Sequence, residues 1–236
     1  GDVGGGPSEV SRAIIEGARR GELKVIAQIF CLSDAKLLAA AGLDAFGHSV
    51  RDKPVDAELI GLMKEHGTWL IPTLFREAST FVFADPDRFL KDEFFTRGVS
   101  PRMQQVLASP EYQKALRSDK YFPRYAPILR TAQHNLKRLA DAGVNIAFGS
   151  DAGVLARFEG FGEHMEAELM VEAGLTPSQV ITAATMKSAE FLGQADLGTL
   201  ENGKWADLVV LAADPLADIK NMRKIDAVYV AGNKVQ

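Results

Sequence analysis

Between residues 8 and 74 the chain alternates, three times over, a stretch with helical apolar spacing and a short apolar run. SEVSRAIIEGARRG puts Val10, Ile14 and Ala18 on one helical face and stops at Gly21. KVIAQIF (24–30) reads as a strand, SDAKLLAAAG as a helix capped by Ser33, and DAFGHSV as a second strand ending at His48 and Ser49. VDAELIGLMKEHG gives a third helix closed by a glycine, and TWLIPTL (68–74) a third strand. Strands separated by helices pair in parallel, because a parallel neighbour needs a crossover long enough to hold a helix. The pattern therefore predicts an α/β fold with covering helices and argues against a hairpin-built antiparallel one.

Residues 75 to about 130 interrupt this rhythm with an aromatic-rich helical excursion broken at Pro86, Pro101, Pro110 and Pro123. A connection of that length is either functional, as a lid, or an ordinary packed insertion. The rhythm resumes with AQHNLKRLADAG as a helix, IAFGSDAGV as a fourth strand, EHMEAELMVEAG as a helix and QVITAATMKSAEFLG as one more. Beyond them, GTLENGKWADLVVLAADP and IDAVYVAGNKV read as short strands joined by glycine and asparagine turns.

Composition narrows the partners. With 236 residues, 47% of them hydrophobic, the chain can bury one large core. Its 31 acidic and 27 basic residues are intermixed, with no basic block to track a phosphate backbone or an anionic bilayer, so nucleic acid and membrane are excluded as expected partners. No apolar run approaches the roughly 20 residues that span a bilayer, and GDVGGG has neither the order of a signal peptide nor the lysine of a phosphate-binding loop; it reads as a flexible end. The single cysteine, Cys31, permits no intrachain disulfide and no cysteine-based metal site, and the cytoplasm is the expected compartment.

In a parallel sheet or barrel the reactive groups gather where the strands end. Three strands bring such groups: Gln28 in KVIAQIF, His48 in DAFGHSV and Asp151 in IAFGSDAGV. Imidazole and carboxylate are the usual ligands of a catalytic zinc, and a carboxylate beside the metal can take the proton of a bound water. Taken singly, His48 suits a hydrogen-bonded core position, Asp151 a turn or helix cap, and Gln28 a paired amide inside an apolar strand. Their arrival from equivalent strand ends favours a site. His66 sits at a helix C-terminus where the dipole favours a cation, and His134 lies on a polar helix face. His164, shortly after the Asp151 loop, divides between a substrate contact and a capping role.

The order GHSV, GSDAG, VEAGLTPSQVITAAT, GTLENGKWADLVVLAADPLADI and VYVAGNKV resembles the metal-dependent amidohydrolase superfamily, nearest its imidazolonepropionase-like and Xaa-Pro or Xaa-Arg dipeptidase-like branch. The resemblance implies the second half of a (β/α)8 TIM-type barrel, strands five to eight, over residues 1–193 with the insertion at about 75–130. It also implies a small β-sandwich segment over 194–236. By the same resemblance His48 matches the sixth-strand metal histidine and Asp151 the eighth-strand aspartate that binds metal and accepts the proton of water. Gln28 stands where the family has its fifth-strand histidine, a degenerate ligand position because an amide oxygen is a poorer zinc ligand than imidazole. The family's first-strand histidine pair and fourth-strand lysine have no counterpart.

The expected function is a hydrolase of C–N bonds in amides, cyclic amides or dipeptides using a divalent metal, most simply zinc. Asp151 is its catalytic residue, His48, Asp151 and Gln28 its metal positions, and His164 its substrate contact. Activity of this chain alone is expected to be weak or absent, and a homo-oligomer or an N-terminal half is expected to cover open sheet edges. The rival is a non-catalytic scaffold that keeps the fold without the metal.

Overall fold

The computed structural model of the chain describes residues 9–154 and 156–235, and the glycine-rich start lies outside them. β1 (Ile26–Gln28), β2 (Ala45–Gly47) and β3 (Trp69–Ile71) form a parallel sheet in chain order, with Ile26 opposite Ala45 and Ala45 opposite Trp69. The fourth run, expected as a full strand, is joined to β3 by a single bridge between Leu70 and Ile146. There Leu70 N–H donates to Asn145 O at 3.0 Å and Ala147 N–H donates to Leu70 O at 2.9 Å. The strands are shorter than the apolar runs because the backbone leaves extended geometry early: His48 has φ 76° and Thr73 φ 49°.

Side chains alternate across a strand, so the sheet has two distinct faces. Phe46, Leu70 and Ile146 point to the outer face and join one cluster with residues of α2 (Leu32–Ala40), α3 (Ala57–His66) and α9 (Phe122–Asp141). Ala45, Trp69, Ile71 and Ala147 point inward and meet Phe191 of α12 (Ser188–Leu192) in a separate cluster. Gly149 belongs to this crowded face: a Cβ on it would stand 2.7 Å from Ile71 Cγ2. The helix expected over QVITAATMKSAEFLG is split into α11 (Pro177–Thr182), a π-helical turn (Ala183–Lys187) and α12.

That break brings α12 against the fourth run, where Phe148 N–H donates to Ser188 Oγ at 3.1 Å. This is one contact at the edge of the fourth run. The β1 edge lies open among the described residues: Ile26 is 50% exposed and Gln28 is exposed as well. The expectation that Gln28 lies buried and paired within its strand is corrected, because an edge strand leaves its inward side chain in solvent.

Two local expectations also change. α1 (Glu9–Arg20) buries Ile15, whereas Val10 and Ile14, assigned to its inner face, are 65% and 55% exposed. α2 is entered through Cys31, not Ser33, and the Asp52 carboxylate accepts from Leu32 N–H at 2.9 Å in place of a local cap. Gly67 closes α3 as the pattern implies, with φ 67°, and Asp56, not singled out in the sequence, caps its start.

The insertion consists of α4 (Leu74–Ala78), α5 (Pro86–Leu90), α6 (Glu93–Gly98), α7 (Pro101–Ala108) and α8 (Pro110–Ser118). Its prolines open helices, where a missing N–H costs nothing. Phe83, Phe89 and Phe95 stack with Phe158 and with Phe161 of α10 (Phe161–Glu172), Phe95 and Phe161 at 4.9 Å between centroids. The excursion is therefore packed into the core. The tail forms an antiparallel sheet of β4 (Leu208–Leu211), β5 (Ile225–Val230) and β6 (Asn233–Lys234). No helix among the described residues is long and apolar enough to cross a membrane.

One buried amide ties the rim to this frame. Asn135 of α9, fully buried, accepts from Val55 N–H at 2.8 Å and donates to Val50 O and Lys53 O, each at 2.8 Å. It thereby holds the loop that follows His48. Asn135→Ala strands one donor and two acceptors, so a stability loss of about 2–4 kcal/mol is expected in urea melts, with the midpoint lowered and the slope unchanged.

Candidate functional site

Three neighbouring strand ends carry non-glycine residues in the left-handed region: His48 (φ 76°), Thr73 (φ 49°) and Asp151 (φ 57°). Such backbone costs of order 1–3 kcal/mol per residue and persists only where surrounding contacts enforce it. Here the contacts are explicit. His48 N–H donates to Ile71 O at 3.0 Å, and its ring Nδ1 lies 2.6 Å from Thr73 Oγ1. His48 is 5% exposed and its Nε2 is buried with no hydrogen-bond partner. Burial first, then the Arg76 and Arg51 guanidiniums, push its pKa down to about 4, so the imidazole is neutral at physiological pH and one ring nitrogen offers a lone pair.

Asp151 is gripped by Arg157 and by Arg76, the latter at 3.6 Å. Both contacts fall on Oδ2, and among the described residues none is made to Oδ1. Arg76 also pairs with Glu77 at 2.5 Å, and the buried Arg51 meets Glu77 at 2.9 Å while donating to Ile29 O and Ser49 O. Ser150 donates to Glu163 Oε1 at 2.6 Å, which fastens the Asp151 turn to the first turn of α10. The rim thus holds a neutral imidazole and a carboxylate among three arginines.

The sequence-derived residues divide. His48 and Asp151 share the rim, and each figures among the charges and groups that set His48's protonation. Gln28 lies opposite Gly47, one residue short of His48's level, exposed at the β1 edge. His164 faces a different environment: its ring meets Phe94 of α6 edge-on at 4.7 Å, and burial followed by Arg223 lowers its pKa to about 4. His134 is exposed, as its helix face implies. Sequence reasoning missed Thr73, Arg51, Arg76 and Arg157; only Thr73 carried a signal, standing where TWLIPTL turns after a proline.

The fit to a divalent metal can be tested on these atoms. The orphaned His48 Nε2 and the free Asp151 Oδ1 suit two coordination positions. Among the described residues, however, no three His, Cys, Asp or Glu side chains converge. The described donors do not by themselves complete a metal site.

This geometry belongs with what the whole sequence matches. The Amidohydrolase family matches residues 7–235, and the chain belongs to that family. It is 37% identical over 84 residues to an imidazolonepropionase of Porphyromonas gingivalis, covering 35% of this chain and 20% of that protein. To the Geobacillus kaustophilus imidazolonepropionase it is 35% identical over 94 residues, covering 37% of this chain and 21% of that protein. Among solved structures, a Xaa-Pro dipeptidase with methionine bound in its active site superposes with a TM-score of 0.69 at 27% identity, covering 95% of this chain and 48% of the dipeptidase. The chain therefore spans about half the length of the solved structure it resembles, and the fold is a partial TIM-type barrel.

Proposed function

We propose that this chain carries part of the active site of a metal-dependent hydrolase of C–N bonds in amides, cyclic amides or dipeptides. In this reading its parallel strands are strands five to eight of the barrel, residues 1–193 form the barrel portion with the insertion, and residues 194–236 contribute to a β-sandwich. The observation that carries it is the strained rim, where a neutral imidazole with an unpartnered nitrogen and an arginine-held carboxylate stand at neighbouring strand ends.

Asp151 Oδ1 is the proton acceptor for the attacking water and returns that proton to the departing nitrogen. Arg157 and Arg76 hold Oδ2 and fix the carboxylate's direction. His48, Asp151 and Gln28 are the metal positions, Gln28 the weakest of them, and zinc is the expected metal. Because these donors do not complete a site, no chemical step is assigned to the metal, and activity of the chain alone is expected to be weak. His164, beside Phe94, contacts substrate only from the insertion side of the site.

Hydrolysis of a panel of dipeptides and cyclic amides with zinc added tests the reading. Slow turnover that disappears in Asp151→Asn is the expected result; turnover indifferent to that change overturns it. Gln28, whose amide oxygen is a poorer metal ligand than imidazole, favours a second reading, a metal-free scaffold. Less than about half an equivalent of retained metal together with no turnover of any panel member selects the scaffold.

A further inference from the structure

Glu166 is the one acidic side chain of α10 with no exposed surface. Its Oε2 accepts from Phe75 N–H at 2.6 Å, and its Oε1 has no hydrogen-bond partner among the described residues. Leu74 and Phe75 begin α4, whose N-cap is Thr73. A threonine there ordinarily turns its hydroxyl onto the free N–H groups of the first turn. Thr73 does not: it makes no side-chain cap bond, and its Oγ1 is spent on His48 Nδ1. Gly162 allows the close approach this requires, since a Cβ there would stand 2.7 Å from Phe75 Cε1.

We infer that Glu166 is a positioning residue: by capping α4 from a neighbouring helix it releases the Thr73 hydroxyl to orient His48. The inference rests on the proposed function only for the use made of His48. A neutral carboxylic acid suits the task, since its carbonyl oxygen accepts from the backbone without placing a charge in the core.

The test reads the His48 ring by 15N NMR in the metal-free protein, with His48→Gln identifying its signals, so its outcome is independent of hydrolysis. The wild type is expected to show one fixed tautomer with the proton on Nδ1. Glu166→Gln, which keeps an acceptor oxygen, should preserve it. Glu166→Leu should give mixed tautomers like those of the exposed His134, with exchange of the Phe75 amide accelerated about tenfold or more. A folded Glu166→Leu protein with His48 and the Phe75 amide unchanged overturns the inference. If that variant does not fold, Thr73→Val decides. Mixed tautomers in Thr73→Val beside a wild-type spectrum in Glu166→Gln support the inference, and an unmoved His48 in Thr73→Val, or a Glu166→Gln spectrum that has lost the fixed tautomer, overturns it.

Discussion

Phe191→Ala is expected to cost about 3–5 kcal/mol, the range for emptying a phenylalanine site in a packed core, and to lower the melting temperature by about 6–20 °C for a domain of this size. Phe191 is 5% exposed and is the buried apolar side chain that α12 brings to the inner face of the sheet, where it packs with Ala45, Ala147, Trp69 and Ile71. Its ring lies 5.5 Å from that of Trp69, and the Lys24 ammonium sits over it, 4.7 Å from the ring centroid. The small residues of that face cannot collapse into the space, because Ala45 and Ala147 have nothing to extend. Trp69 fluorescence should shift to the red in the variant, while Trp205, already 55% exposed, supplies a constant background. A stability change below about 0.5 kcal/mol would show that α12 does not close this face.

The second large effect is on the pH profile of stability. Burial pushes Glu166 up to about 8 from an ordinary value of 4.5, and burial first pushes His48 and His164 down to about 4 from 6.5. Between pH 4 and 6.5 the unfolded chain holds protons that the two folded histidines lack, so stability rises with pH. Between pH 4.5 and 8 the folded chain keeps a proton on Glu166 that the unfolded chain releases, so this group makes stability fall. The two histidines outweigh it below 6.5, and above 6.5 it leads, with Glu168, also raised by burial, acting in the same direction. Urea melts should therefore show a maximum near pH 6.5 and a decline of about 1.4 kcal/mol per unit toward pH 8. Glu166→Gln should remove most of that decline. A wild-type profile flat from pH 6.5 to 8 would mean Glu166 is ionised in the fold.

The alternation of elements was legible in the sequence because period-2 and period-3.6 apolar spacing reports which face is buried. Gly67 likewise marked a helix end through local chemistry. What local spacing could not report was set by distant contacts. The π-helical turn at Ala183–Lys187 lies in a run with unbroken helical character, and only its tertiary consequence, Phe191 on the inner face, reveals it. Val10 and Ile14 form a proper helical stripe that no other described element covers. Within the site, His48 and Asp151 were readable as chemistry-bearing residues at strand ends. Thr73, Arg76 and Glu166 were not, since their roles come from a strained φ, a shared carboxylate and a cap supplied across 91 residues of chain.

The central claim is that His48 and Asp151 together form the part of a hydrolytic metal site that this chain supplies. Zinc titrated into the 15N-labelled protein at neutral pH tests it most directly. The account predicts that the His48 ring signals move, that those of the exposed His134 do not precede them, and that the effect is lost in Asp151→Asn. Zinc that perturbs only the other histidines, leaving His48 untouched at saturation, would contradict it.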